Sequence, residues 1–263
     1  MDLLTAALLG LVQGVSEFLP ISSDGHLVIF ETLLGVGEEE GGLSFVIAVH
    51  IGSLLALLLF FRERILGLTR GLFARDAAAL AHIGKLALAT LPAVGVGLFL
   101  KDRVEAAFQT PWLAGAGLLV TGTFLITTKR TLPRAHALAP SFGQALAIGC
   151  AQAVAILPGV SRSGSTIALA LALGVAPLAA AEFSFLLGII AIVGAAVLDL
   201  PDLLAAGATS AATPMGIGAA AAALSGLAAL ALFVRLLASQ RFHLFAYYCW
   251  AAGAAFLAYL AAR

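Results

Sequence analysis

The sequence predicts an all-α integral membrane protein, with about six transmembrane helices plus two re-entrant helix–loop–helix segments in an inverted-topology repeat. Three observations predict it. The 263-residue chain is 62% hydrophobic and 11% charged, with a mean hydropathy of +1.08, a composition that belongs in a bilayer. Six apolar runs are each long enough to cross about 30 Å of hydrocarbon. Two polar islands interrupt further apolar segments, and they echo each other.

Taken in order, the segment of about 3–30 comes first and carries the island Gln13-Gly14-Val15-Ser16-Glu17-Phe18-Leu19-Pro20-Ile21-Ser22-Ser23-Asp24-Gly25-His26. Gln13 and Glu17 stand four apart and share one helix face. Pro20 ends or kinks that helix, and Ser22, Ser23, Gly25 and His26 fall in the turn beyond it. Spans follow at about 43–61, 79–100 and 112–128. The segment of about 143–176 carries the second island, Leu157-Pro158-Gly159-Val160-Ser161-Arg162-Ser163-Gly164-Ser165-Thr166. Spans at about 178–198, 214–238 and 244–262 complete the chain, read as one polytopic domain over 1–263. Segments broken at membrane depth are tolerated where protein buries them or where they line a cavity. The start, Met1-Asp2-Leu3-Leu4, lacks a basic n-region and is expected in the mature protein.

Charge orients the spans. Arg62, Arg64, Arg70, Arg75, Lys129, Arg130, Arg134, Arg235 and Arg241 fall on one side and are expected in the cytoplasm. The other side receives Lys101, Arg103 and Arg263, with the acidic residues Glu38, Glu39, Glu40, Asp199 and Asp202. Alternating spans then put both termini in the periplasm. Segment 3–30 begins and ends outside, and segment 143–176 begins and ends inside, so each dips in and returns from opposite faces. At an offset of 139, Gly10 matches Gly149, Gln13 matches Gln152, Val15 matches Val154, Ser22 matches Ser161 and Gly25 matches Gly164. Repeat 1 covers about 1–128 and repeat 2 about 140–262, and polar loops of such inverted repeats meet near the midplane.

The islands carry the chemistry. A guanidinium at membrane depth is costly and is kept mainly for function. Arg162 with serines, a threonine and glycines around it suits an oxyanion such as phosphate. Glu17, Ser23 and His26 supply the parts of proton transfer and nucleophilic attack. The net charge of zero offers no nucleic-acid footprint, and Cys150 and Cys249 have neither metal-ligand spacing nor a disulfide framework.

At these residues the chain resembles the undecaprenyl-diphosphate phosphatases, or bacitracin-resistance proteins. One family pattern, Glu or Gln, three residues, Glu-Phe-Leu-Pro and a Ser-Ser-x-x-His turn, reads here from Gln13 through Glu17, Phe18, Leu19, Pro20, Ser22 and Ser23 to His26. The other, Pro-Gly-x-Ser-Arg-Ser-x-x-Thr, reads from Pro158 and Gly159 through Ser161, Arg162 and Ser163 to Thr166. The resemblance implies a bacterial inner-membrane enzyme that hydrolyses undecaprenyl diphosphate to the monophosphate and phosphate. It would recycle the cell-wall carrier lipid and confer bacitracin resistance. It also implies a site toward the periplasmic side, a divalent cation and two re-entrant helix pairs. Its partners would be the polyprenyl diphosphate and the bilayer, and a homodimer is to be weighed.

Roles follow from residue type. Glu17, Ser23, His26 and Arg162 are the catalytic candidates. Gln13, Ser22, Ser161, Ser163, Gly164 and Thr166 are the substrate-binding ones. Glu17 is a general base, a partner of Arg162 or a ligand of Mg²⁺ or Ca²⁺. The nucleophile is Ser23, His26 or water. The serine hydroxyls bind phosphate or bond back to helix carbonyls. His50, with Ser53 one turn on, faces the cavity, and Glu182 and Ser184 support it. Asp24 holds a position the family pattern leaves variable. Gly115 and Gly117 are read as helix-packing residues. A transporter is the competing reading. An acid-phosphatase-type lipid phosphatase is set aside, because residues 163–176 lack the second histidine it needs.

Overall fold

A computed structural model describes residues 1–35, 43–198, 212–239 and 241–263. The expected acidic run at Glu38, Glu39 and Glu40, and Asp199 and Asp202, lie outside the described residues. The described chain is all-helical: α1 (Leu3–Phe18), α2 (Ser23–Leu34), α3 (Leu43–Phe60), α4 (Arg62–Phe73), α5 (Ala77–Phe99), α6 (Lys101–Phe108), α7 (Pro111–Thr131), α8 (Phe142–Val154), α9 (Arg162–Ala172), α10 (Pro177–Leu198), α11 (Ala212–Ala238) and α12 (Phe245–Ala261). Helices α5, α7, α10, α11 and α12 are long and apolar enough to cross a bilayer. Helix α3 reaches that standard together with α4, from which it is bent by 72°. The bend falls at Phe61, where the apolar run meets Arg62, Glu63 and Arg64. Large side chains such as Phe73, Leu91, Phe99 and Leu224 are exposed, as a lipid-facing surface requires.

Local chemistry sets the ends of the short helices. Asp2 caps α1 by accepting from the backbone N–H groups of Leu4 and Thr5. The backbone N–H and the hydroxyl of Thr5 hold its carboxyl below the usual carboxylate range. Helix α1 stops at Phe18, and Leu19 is extended ahead of Pro20. Ser141 and Gln144 form a reciprocal capping box at the start of α8. Gln144 also donates Nε2 to the Leu173 carbonyl at 2.9 Å. The first turn of α8 thus meets the end of α9, so the pair goes in and comes back to one side. Backbone bonds from His136 and Ala137 to the Gly174 carbonyl bring the end of α7 to that same side.

The glycines of the sequence echo mark where the halves touch. In α1, a Cβ at Gly10 would overlap the backbone of Gly218, and one at Gly14 the backbone of Ala222. A four-residue step on α1 matches a four-residue step on α11, so the two helices run parallel with backbones in contact, small residue on small residue. Gly149, the mate of Gly10, sits in the same way on the backbone of Ala89 in α5. Each short hairpin therefore packs on a long helix of the other half.

Candidate functional site

The two polar loops meet. A Cβ at Gly25 would collide with Gly159, and Gly164 lies against Ser161 and Pro20. Both loops start a helix with the same device. Ser22 caps α2 by accepting from the Gly25 N–H at 3.3 Å, and Ser161 caps α9 by accepting from the Gly164 N–H at 3.0 Å. The echoed Ser and Gly pairs are thus cap and capped. Two helix N-termini, each rich in free N–H groups, converge on one place, which favours an anion. Ser22 adopts φ +68°, a left-handed conformation that costs a non-glycine residue about 1–3 kcal/mol and recurs at functional sites.

Glu17, in the last turn of α1, is the hub. Its Oε2 accepts from the Ser23 hydroxyl at 2.6 Å and from Gln13 Nε2 at 3.2 Å. Its Oε1 accepts from Arg162 Nη2. Arg162 opens α9 and gives Nη1 to the Ser184 carbonyl of α10 at 3.3 Å. A Cβ at Gly188 would overlap the guanidinium, so that glycine makes its room. Gln13 Nε2 also donates to Ser53 Oγ at 3.3 Å, while its buried Oε1 has no protein partner among the described residues. Glu17, Ser23 and Arg162, drawn from both sequence islands, therefore stand in one hydrogen-bonded cluster.

His26 is held differently. Its Nδ1 lies 2.8 Å from the Ser22 carbonyl and its Nε2 2.7 Å from the Tyr248 hydroxyl of α12, with the two rings stacked. A carbonyl only accepts, so the neutral ring carries its proton on Nδ1 and takes the Tyr248 proton at Nε2. Ser23 is bonded to Glu17, and neither ring nitrogen of His26 is bonded to Ser23. Three hydroxyls of the second island, those of Ser161, Ser163 and Thr166, are engaged by protein, while the buried Ser165 hydroxyl has no partner among the described residues. Ser161 caps α9. Ser163 bonds the Leu19 carbonyl at 3.4 Å, and Thr166 bonds the Arg162 carbonyl at 2.7 Å and Ser184 Oγ at 2.6 Å. Of the two expected supporters, Ser184 reaches the site, while Glu182 pairs with Arg64 at 2.8 Å.

Sequence reasoning missed four contributors. Tyr248 gave no signal inside an apolar run. Thr121 of α7 links its hydroxyl to the Gly159 carbonyl at 2.8 Å and accepts from the Ser161 N–H at 2.9 Å, so it shapes the second loop. Gly117 seats that loop by giving Pro158 and Gly159 close approach, which is more than helix packing. Asp24 lies 3.4 Å from His50 Nε2.

The described residues do not by themselves assemble an all-protein cage for a divalent cation. Both oxygens of Glu17 are engaged, and among the described residues no group of three or more His, Cys, Asp or Glu side chains is arranged to hold a metal. Gln13 supplies a neutral amide oxygen beside the single carboxylate of Glu17, so waters and substrate phosphates would complete the shell of any cation held here.

Comparison with known proteins gives consistent results over nearly the whole chain. The family model described as bacitracin resistance protein BacA matches residues 6–255. An undecaprenyl-diphosphatase of Rhodopirellula baltica is 42% identical over 256 residues, covering 96% of each chain. Those of Desulforapulum autotrophicum and Rubrobacter xylanophilus are 39% and 38% identical, covering 96% and 97% of both chains.

Proposed function

We propose, from the premise that this chain belongs to the bacitracin resistance protein BacA family, that the joined cluster of Glu17, Ser23 and Arg162 is its active site. The protein is a multi-pass membrane hydrolase that converts undecaprenyl diphosphate to undecaprenyl phosphate and phosphate, recycling the carrier lipid and conferring resistance to bacitracin. One observation carries the site assignment: Glu17 bonds the hydroxyl of Ser23 with one oxygen and the guanidinium of Arg162 with the other.

The chemistry follows from that arrangement. Ser23 Oγ attacks the terminal phosphorus while Glu17 takes its proton. The Oγ–P bond forms, the bridging P–O bond breaks, and the lipid monophosphate leaves with the proton that Glu17 returns to its former bridging oxygen. Arg162 and the N–H groups at the starts of α2 and α9 bear the charge that builds on the phosphoryl oxygens. Water, deprotonated by the regenerated carboxylate, then attacks the phosphorus, the Oγ–P bond breaks, and Glu17 returns the proton to Ser23 Oγ as phosphate leaves. His26 fits direct attack on phosphorus less well, because its Nε2 lone pair accepts from Tyr248. Any Mg²⁺ or Ca²⁺ requirement is assigned to the oxygens of the diphosphate itself rather than to a protein cage.

The same reading places the protein in the bacterial inner membrane with both termini and the site's mouth toward the periplasm, and allows a homodimer. The halves over 1–128 and 140–262 run in opposite senses across the membrane. The parallel course of α1 and α11 supports this, since both then start outside. Purified protein in detergent is expected to release orthophosphate from undecaprenyl diphosphate. No release, with or without chelator and added cation, contradicts the assignment, because detergent abolishes vectorial transport and leaves hydrolysis intact.

A further inference from the structure

His50 has two acceptor-only neighbours. It sits in α3, where Nδ1 lies 2.8 Å from the Val46 carbonyl of its own helix. Its Nε2 faces the carboxylates of Asp24 on α2 at 3.4 Å and Glu17 on α1 at 4.0 Å. A neutral ring would turn a lone pair on one of these acceptors, whereas an imidazolium donates to both sides. The geometry thus makes His50 a second cation, on the opposite oxygen of Glu17 from Arg162.

The four charges also form a series of increasing exposure. The side chains of Glu17 and Arg162 are 6% and 15% exposed, that of His50 20% and that of Asp24 31%. A lipid diphosphate must enter with its terminal phosphate leading, because that phosphorus has to reach Ser23 beside Glu17. The phosphate that stays on the lipid then lies nearer the mouth, at the level of His50 and Asp24. Two phosphates and two cations pair off in order of exposure.

We propose that His50 is the contact for the lipid-linked phosphate, held in place by Asp24 until substrate arrives, and that it sets the preference for a diphosphate over a single phosphate. This rests on the diphosphatase reading above. On binding, a phosphate oxygen replaces the Asp24 carboxylate at Nε2. The more exposed Asp24 moves outward, away from like charge. The same contact then stabilises the charge on the departing monophosphate.

The test uses pyrophosphate and orthophosphate as competitive inhibitors of prenyl diphosphate hydrolysis by the purified full chain. Orthophosphate fills only the deep position, and pyrophosphate fills both. His50→Gln is expected to weaken pyrophosphate inhibition about tenfold or more, the scale of one charge-assisted contact, and to leave orthophosphate inhibition within about twofold. His50→Arg, which returns a permanent cation, is expected to keep the preference for pyrophosphate and serves if His50→Gln does not fold. Equal weakening of both anions, or no change in either, would overturn the proposal. Failure of the wild type to hydrolyse the prenyl diphosphate would instead count against the diphosphatase reading.

Discussion

At the scale of single residues, Glu17 has the most at stake. It is buried, and it accepts from a serine, an amide and a guanidinium at once. Removing one partner of a buried ion pair strands the other, at a cost of about 3–5 kcal/mol. Glu17→Gln is therefore expected to lower the thermal midpoint in detergent as well as to abolish turnover. An inactive Glu17→Gln protein with an unchanged midpoint would show that Arg162 does not depend on it. Arg162→Lys keeps the charge but loses the planar two-pronged donor set. It is expected to fold and to lose about 10²–10³ in rate. Near-normal turnover by a folded Arg162→Lys protein would remove the phosphate-clamp role. These residues were legible in the sequence because ionisable groups in an oily chain stand out. Tyr248 and Thr121 were not, because a hydroxyl in an apolar helix is common and only the fold shows which one meets His26 or Ser161.

At the scale of elements, the helix starts and stops were written locally. Pro20 and Pro158 break the two hairpins, and Asp2, Ser22, Ser141 and Ser161 cap helices. The bend of 72° between α3 and α4 was not legible, since a run at about 43–61 reads as one span whether or not the chain then turns. The direction of α1 against α11 was not legible either, because it depends on which glycine meets which backbone. The echoed pair Gly10 and Gly149 shows why the echo exists: both are points of backbone contact with a helix of the other half. Gly149→Val would push a branched side chain into the backbone of Ala89. Overpacking of this kind costs about 1–3 kcal/mol or more. The variant is expected to lose folded yield and thermal stability, while Gly143→Val, where nothing lies within reach of a Cβ, is not. Equal behaviour of the two would contradict the packing of α8 on α5.

At the scale of the whole molecule, the proposed function requires two halves that complete a single site across the membrane. Charge asymmetry predicts which sides they face. In a cysteine-free background, Ala74→Cys after α4 is expected to label only from the cytoplasm, and Gln109→Cys, between α6 and α7, from the periplasm. Labelling of both from one side would contradict the passage of α5 across the membrane and the orientation that the charges predict. The union of the halves is the central claim, and phosphate release in detergent by a double-variant cycle tests it most directly. Ser23→Ala removes the group from the first half, and Arg162→Lys alters the group from the second. Residues that act as one catalytic unit are grossly non-additive. Each single variant is expected to fall about a hundredfold or more, and the double variant to fall no further than the worse single one. Losses that multiply in the double variant would mean that the two halves act independently, and would contradict the single site.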